Sequence, residues 1–168
     1  TTAVGCLGQG VRGRVGFVAF NKHIADELRQ RLPASVPATT LHALGFAAVR
    51  KAMPDARLEE GKLMRLAKEL APKAWPSERQ AAEQLARLLK YTLTDEDNGA
   101  AVAGLIDHFG LDVEERSYQA TLDLAAALVR RSGECRGTID FDDMVWLPAR
   151  LGLSVDGFDL LLVDEAQD

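Results

Sequence analysis

The reading of Leu160-Leu161-Leu162-Val163-Asp164-Glu165-Ala166-Gln167-Asp168 decides the fold. Four consecutive large apolar residues are too few for a helix, but they suit a parallel strand buried on both faces. Two adjacent carboxylates, Asp164 and Glu165, follow directly. In an open α/β sheet, ligands bind at the carboxyl ends of strands. A hydrophobic strand delivering Asp-Glu there is how nucleotide-hydrolysing enzymes hold Mg²⁺ and polarise water. The structural alternative is a buried strand that simply runs into a solvated acidic end.

Working outward to the start of the chain, Arg14–Phe20 (RVGFVAF) is strand-like in its Val and Phe content. Asn21 can cap the helix after it, in which Ile24, Ala25, Leu28 and Leu32 share one face. Pro33 and Pro37 bracket a link, Ala38–Thr40 reads as a second strand, and Leu41–Met53 as a helix stopped by Pro54. This β-α-β-α opening predicts a parallel sheet. From Asp55 to about Arg136 no strand is expected. Helices are predicted over Leu58–Leu70, from a capping box at Ser77-Glu78-Arg79-Gln80 to about Tyr91, over Gly99–Phe109, and over Ser117–Arg131. Asp140 should cap a helix over Phe141–Leu151, and the last strand should begin near Phe158. The predicted organisation is thus an α/β unit of residues 1–54 and 137–168, with a helical lobe of residues 55–136 inserted between its strands.

With 168 residues, 47% of them apolar, the chain can bury a real core, and no apolar run is long enough to cross a membrane. No signal peptide is visible. Cys6, Cys135, His23, His42 and His108 are too scattered for a zinc pattern, and a reduced cytosolic setting is expected. Charge is uneven despite the net −5: residues 1–50 hold six Lys/Arg against two Asp/Glu, whereas residues 51–168 hold fourteen against twenty-three. The first segment therefore permits phosphate contact, although an ordinary solvated surface would look the same. Since the chain starts without Met and stops on a carboxylate cluster, it is expected to be an excerpt of a larger protein.

Gly8-Gln9-Gly10-Val11-Arg12-Gly13 matches the dinucleotide-binding G-x-G-x-x-G, but it precedes a strand instead of following one. It reads as a turn. Val18-Ala19-Phe20-Asn21-Lys22 places a ring, an amide and an ammonium at a strand's carboxyl end. Such a ring can stack on an unpaired base while Asn21 and Lys22 take phosphate oxygens. Equally, Phe20 could be core, Asn21 a cap and Lys22 merely solvated. Thr39-Thr40-Leu41-His42-Ala43-Leu44-Gly45 repeats the theme, with hydroxyls and an imidazole at a helix N-terminus suited to phosphate. Helix capping by Thr40 and a surface His42 would account for it too.

Taken in order, V-A-F-N-K, T-x-H-x-x-G, Asp140-Phe141-Asp142-Asp143-Met144 and L-L-V-D-E-A-Q-D resemble the UvrD/Rep-like superfamily 1 DNA helicases. The V-A-F-N-K form looks closest to the branch containing the F-box DNA helicases. The resemblance covers the strand regions, about half the chain. It implies a RecA-like P-loop NTPase sheet with an inserted all-helical lobe, in the first motor domain of an enzyme that couples ATP hydrolysis to translocation on single-stranded DNA and duplex unwinding. It implies ATP and Mg²⁺ as cofactors, single-stranded DNA and duplex junctions as partners, and a second motor domain in the same full-length chain. The setting would be cytoplasmic in a bacterium or phage host, or nuclear in a eukaryote.

Residue by residue, the resemblance implies that Asp164 holds Mg²⁺ through water, Glu165 accepts a proton from the attacking water, Gln167 senses the γ-phosphate and Asp168 braces the loop. Thr1 would be the phosphate-loop Thr and a direct Mg²⁺ ligand, in a helix of Thr2–Leu7. Phe20, Asn21, Lys22, Thr40 and His42 would track the DNA strand. Two departures stand out. Ala43 replaces the Ser that usually follows the His, and the phosphate-loop Lys and the second domain's arginine finger are absent, so this stretch by itself should not hydrolyse ATP. Alternatives are the helicase part of a helicase–nuclease, or a non-catalytic nucleic-acid-binding module derived from a motor domain.

Overall fold

A computed structural model describes residues 13–155 and 157–164. In chain order the elements are β1 (Val15–Ala19), α1 (Lys22–Arg31), β2 (Ala38–Thr40), α2 (Leu41–Ala52), β3 (Arg57–Leu58), α3 (Lys62–Leu70), α4 (Pro76–Thr92), α5 (Gly99–Phe109), a 3₁₀ turn (Glu115–Ser117), α6 (Tyr118–Glu134), β4 (Thr138–Ile139), α7 (Phe141–Leu151) and β5 (Leu160–Val163). The fold is α/β, with a small parallel sheet of order β2-β1-β5 and seven α-helices among the described residues.

β1 is central because Val15, Phe17 and Ala19 alternate onto the face that α1 covers with Ala25 and Leu28. Leu160 and Leu162 of β5 join that core. Leu161 and Val163 do not: both are exposed among the described residues, Val163 by 53%. The expectation of a strand buried on both faces is therefore corrected. β5 pairs with β1 alone in the described sheet, and alternate residues point away from α1.

A second core gathers the helices. Leu63 and Leu66 of α3, Leu85 and Leu89 of α4, Val102 and Ile106 of α5 and Leu128 of α6 meet there with Val49 of α2 and Trp146 and Leu147 of α7. Two predictions for the middle of the chain are also corrected. Arg57–Leu58 is not the start of a helix but a parallel bridge to Thr138–Ile139, held by Arg57 N–H to Gly137 O at 3.0 Å and Glu59 N–H to Ile139 O at 2.8 Å. Its partner lies some eighty residues away, so no local periodicity announces it. The Ser77 capping box does not form either. Pro76, pre-set for the first helical position, starts α4 one residue earlier, and Ser77 Oγ bonds Glu114 Oε1 instead at 3.2 Å.

Other punctuation follows the sequence. α5 ends on Gly110 in the left-handed region at φ 62°, where a side chain would be strained. α7 opens with a true capping box: Asp143 N–H donates to Asp140 Oδ1 at 2.8 Å, and Asp140 N–H donates to Asp143 Oδ2 at 3.0 Å. No helix among the described residues is long and apolar enough to cross a membrane.

Candidate functional site

The parallel register aligns the carboxyl ends of all three main strands. Ala19 lies opposite Thr40, Val18 lies opposite Val163, and Asp164 N–H donates to Val18 O at 2.9 Å. Phe20, Asn21, Lys22, Thr40, His42 and Asp164 are thereby brought to one edge of the sheet, from segments spread over 144 positions. Thr1, Glu165, Gln167 and Asp168 lie outside the described residues, as does nearly all of the glycine-rich segment before Arg14 and the helix expected over Thr2–Leu7.

Exposure separates the two readings of Phe20. Its ring is 59% exposed, so it is not a core residue. Asn21 and Thr40 do serve as helix caps: Asn21 Oδ1 accepts from Ile24 N–H at 3.0 Å, and Thr40 Oγ1 accepts from Ala43 N–H at 3.2 Å. Capping uses acceptor capacity only. The Asn21 amide N–H₂ and the Thr40 hydroxyl proton remain donors in type, which is what a phosphate oxygen needs. Lys22 and His42 are exposed beside them.

The two helices that begin at this edge carry an unusual charge pattern. Neither α1 nor α2 has an acidic residue in its first turn, and α1 opens with Lys22-His23. Helix N-termini ordinarily favour carboxylates because of the macrodipole, as at α7 with Asp142 and Asp143. Leaving two adjacent N-termini without carboxylates in a net-acidic chain keeps the edge receptive to an anion. For a Mg²⁺ ion, Asp164 supplies an exposed carboxylate, and it is the one member of the expected ligand pair among the described residues. No group of three or more His, Cys, Asp or Glu residues arranged to hold a metal occurs among the described residues.

Gly45 of the T-x-H-x-x-G segment has a distinct role. A Cβ on Gly45 would overlap the backbone carbonyl of Met144, so α2 and α7 approach backbone to backbone at this point. The glycine ties the edge helix to the helical core through α7.

Asp140 and Asp143 turn inward, into an ion-pair cluster that sequence reasoning missed. Lys62 Nζ donates to Asp143 Oδ2 at 2.6 Å and to Ser132 O at 2.9 Å. Lys90 Nζ donates to Asp143 Oδ1 at 2.8 Å and to Asp140 Oδ2 at 3.0 Å, and it lies 5.1 Å from the Trp146 ring centre. All four charged side chains are buried. Burial pushes the Asp143 carboxyl up, but the Lys90 and Lys62 ammoniums outweigh it and hold the group below its ordinary value. Asp140 is raised, first by burial and then by the charge of Asp143, against the pull of Lys90. A signal was available: Lys90 falls four residues after Ala86 and Lys62 four before Leu66, on helix faces that are otherwise apolar.

A cleft of about 390 Å³ lies elsewhere, between Leu93–Asp97 and Trp146–Arg150, and none of the expected site residues line it. Its Glu96 carboxyl is held low by a two-point hydrogen bond from Arg150. No protein-family model, curated protein or solved structure matches this chain.

Proposed function

We propose that the chain is part of the first motor domain of an ATP-dependent DNA helicase of the UvrD/Rep-like kind, a RecA-like P-loop fold whose strand ends carry nucleotide and single-stranded DNA. The observation that carries this reading is the meeting of Phe20, Asn21, Lys22, Thr40, His42 and Asp164 at the carboxyl edge of one parallel sheet. That edge is where α/β sheets bind ligands. An exposed ring beside amide, hydroxyl and ammonium donors is the equipment for stacking a base and holding its phosphates. The two helix N-termini that lack carboxylates favour the same anion.

In this reading Asp164 and Thr1 hold Mg²⁺, which when bound neutralises charge on the β- and γ-phosphate oxygens. Glu165 takes the proton of the attacking water, and Gln167 reads the γ-phosphate. Phe20 stacks on a base while Lys22, Asn21, Thr40 and His42 follow the backbone. The phosphate-loop Lys and an arginine finger have to come from sequence beyond these 168 residues.

The test is ATP hydrolysis by the protein that carries those parts, with saturating single-stranded DNA. Glu165→Gln is expected to bind ATP normally and to lose about 10²–10⁴-fold in turnover, the usual cost of removing a general base. Unchanged turnover in that variant would overturn the role of Glu165. A parent protein with no DNA-dependent turnover would overturn the motor reading and leave a binding module.

A further inference from the structure

The end of α2 remote from the proposed strand-binding edge carries a group of cations with no assigned role. Arg50 and Lys51 lie in its last turn. Arg136 Nη1 reaches Met53 Sδ, just past that turn, at 3.7 Å. Arg57 is brought alongside by its N–H bond to Gly137 O at 3.0 Å and its register with Thr138. Arg50, Lys51, Arg57 and Arg136 are all exposed, and none has a carboxylate partner among the described residues. Nearby acids do not cancel them. Glu59 is held by Arg65 and Glu134 by Arg131, which leaves the exposed Asp55 and Glu60.

Most other arginines of this chain are matched to a carboxylate: Arg29 to Asp26, Arg65 to Glu59 and Glu69, Arg87 to Glu83, Arg130 to Asp97, Arg150 to Glu96. In an acidic protein, a local excess of unmatched cations is an electrostatic footprint for a polyanion.

We propose that this surface, Arg50, Lys51, Arg57 and Arg136, binds the phosphate backbone of a nucleic-acid duplex without reading its sequence. A duplex is favoured over a single strand by what the patch lacks. Phe46 is partly buried with the Arg50 guanidinium 5.8 Å from its centre, and the one large exposed apolar side chain between Arg50 and Arg57 or beside Arg136 is Leu58, so no open ring is offered to an unpaired base. Phosphate contacts alone remain, and those suit a stacked duplex. Ten residues of helix rise, ~15 Å, separate this surface from Thr40, so one nucleic acid with a single-stranded end can reach both.

The surface stands on its own charges and does not depend on the proposed motor function. The experiment measures binding of fluorescein-labelled hairpin duplex and single-stranded oligonucleotides over a salt series, for the 168-residue chain and two variants. Arg57→Gln/Arg136→Gln is expected to flatten the slope of log affinity against log salt for duplex by about 1.8, two counterions at about 0.9 each, at unchanged melting temperature. Its single-strand binding should be unaltered. Phe20→Ala/Lys22→Ala should show the converse, weakened single-strand binding with duplex binding kept. An unchanged duplex slope in the arginine variant overturns the proposal. Equal weakening with a polyglutamate competitor in place of duplex also overturns it, assigning the cations to an acidic protein segment. Loss of effect confined to Phe20→Ala/Lys22→Ala would overturn the strand-binding edge and leave the duplex surface standing.

Discussion

Lys62 and Asp143, 81 residues apart in sequence, meet at 2.6 Å with neither side chain reachable by solvent. A buried ion pair is tolerable only when both partners' remaining hydrogen-bond capacity is met. Here Ser132 O and Ser132 Oγ, Lys90 and two backbone N–H groups supply it. The cluster joins the starts of α3 and α7 to the ends of α4 and α6, and so sets where α7 lies.

Removing one member should leave an uncompensated buried charge. Lys62→Met is expected to destabilise the fold by about 3–5 kcal/mol, read from urea unfolding. A loss below about 1 kcal/mol, the range of an exposed pair, would mean that the cluster is hydrated in solution.

Acid should act on the same cluster with two signs. The Asp143 carboxyl is depressed below the unfolded value of 3.8, so its stabilisation is complete above that pH and is lost as pH falls through the depressed value. Asp140 is raised, so keeping it ionised costs stability at neutral pH, and that cost disappears as pH falls through its raised value. Mild acidification should therefore leave stability flat or slightly higher, with a decline setting in below about pH 3.8 as Asp143 titrates. Unfolding free energies over a pH series should show a shallower decline in Asp143→Asn. An identical slope would remove Asp143 as a source of the acid sensitivity.

Gly45→Ala tests the contact between the edge helix and α7. Inside an ordinary helix this change stabilises by about 0.5–1 kcal/mol. Here the new methyl would overlap Met144 O, and backbone cannot rotate aside, so the expected sign is reversed, with a loss of about 1–3 kcal/mol. A raised melting temperature would show that α2 and α7 sit further apart than the structure has them.

Phe20→Ala distinguishes a binding ring from a packing ring. With 59% of Phe20 exposed, folding stability should change by no more than about 0.5 kcal/mol. Single-stranded DNA affinity should fall by about 1–3 kcal/mol if the ring stacks on a base. Lys22→Ala should flatten the salt slope for single strands by about 0.7, one phosphate contact. Unaltered affinity and slope in both variants would leave V-A-F-N-K without a role in binding.

The local punctuation was legible from residues a few positions apart: the Asn21 and Thr40 caps, the Asp140–Asp143 capping box, the turn at Gly110 and the strand–helix–strand opening. Each depends on hydrogen bonds spanning four residues or fewer, so the code for it is written next to it. The order of strands, and with it the gathering of the candidate residues on one edge, followed from the parallel pattern. Exposure of Phe20 did not, because a residue at a strand's end is core or surface according to what packs there.

Tertiary structure alone decided the rest. The bridge between Arg57–Leu58 and Thr138–Ile139, the burial of Lys62 and Lys90, the approach of Gly45 to Met144 and the clustering of Arg57 with Arg136 all join segments about seventy to one hundred residues apart. A lysine on an apolar helix face is solvated or buried depending on whether a carboxylate arrives from another helix. The free energy that settles the matter, desolvation against pairing, exists only once the chain has closed.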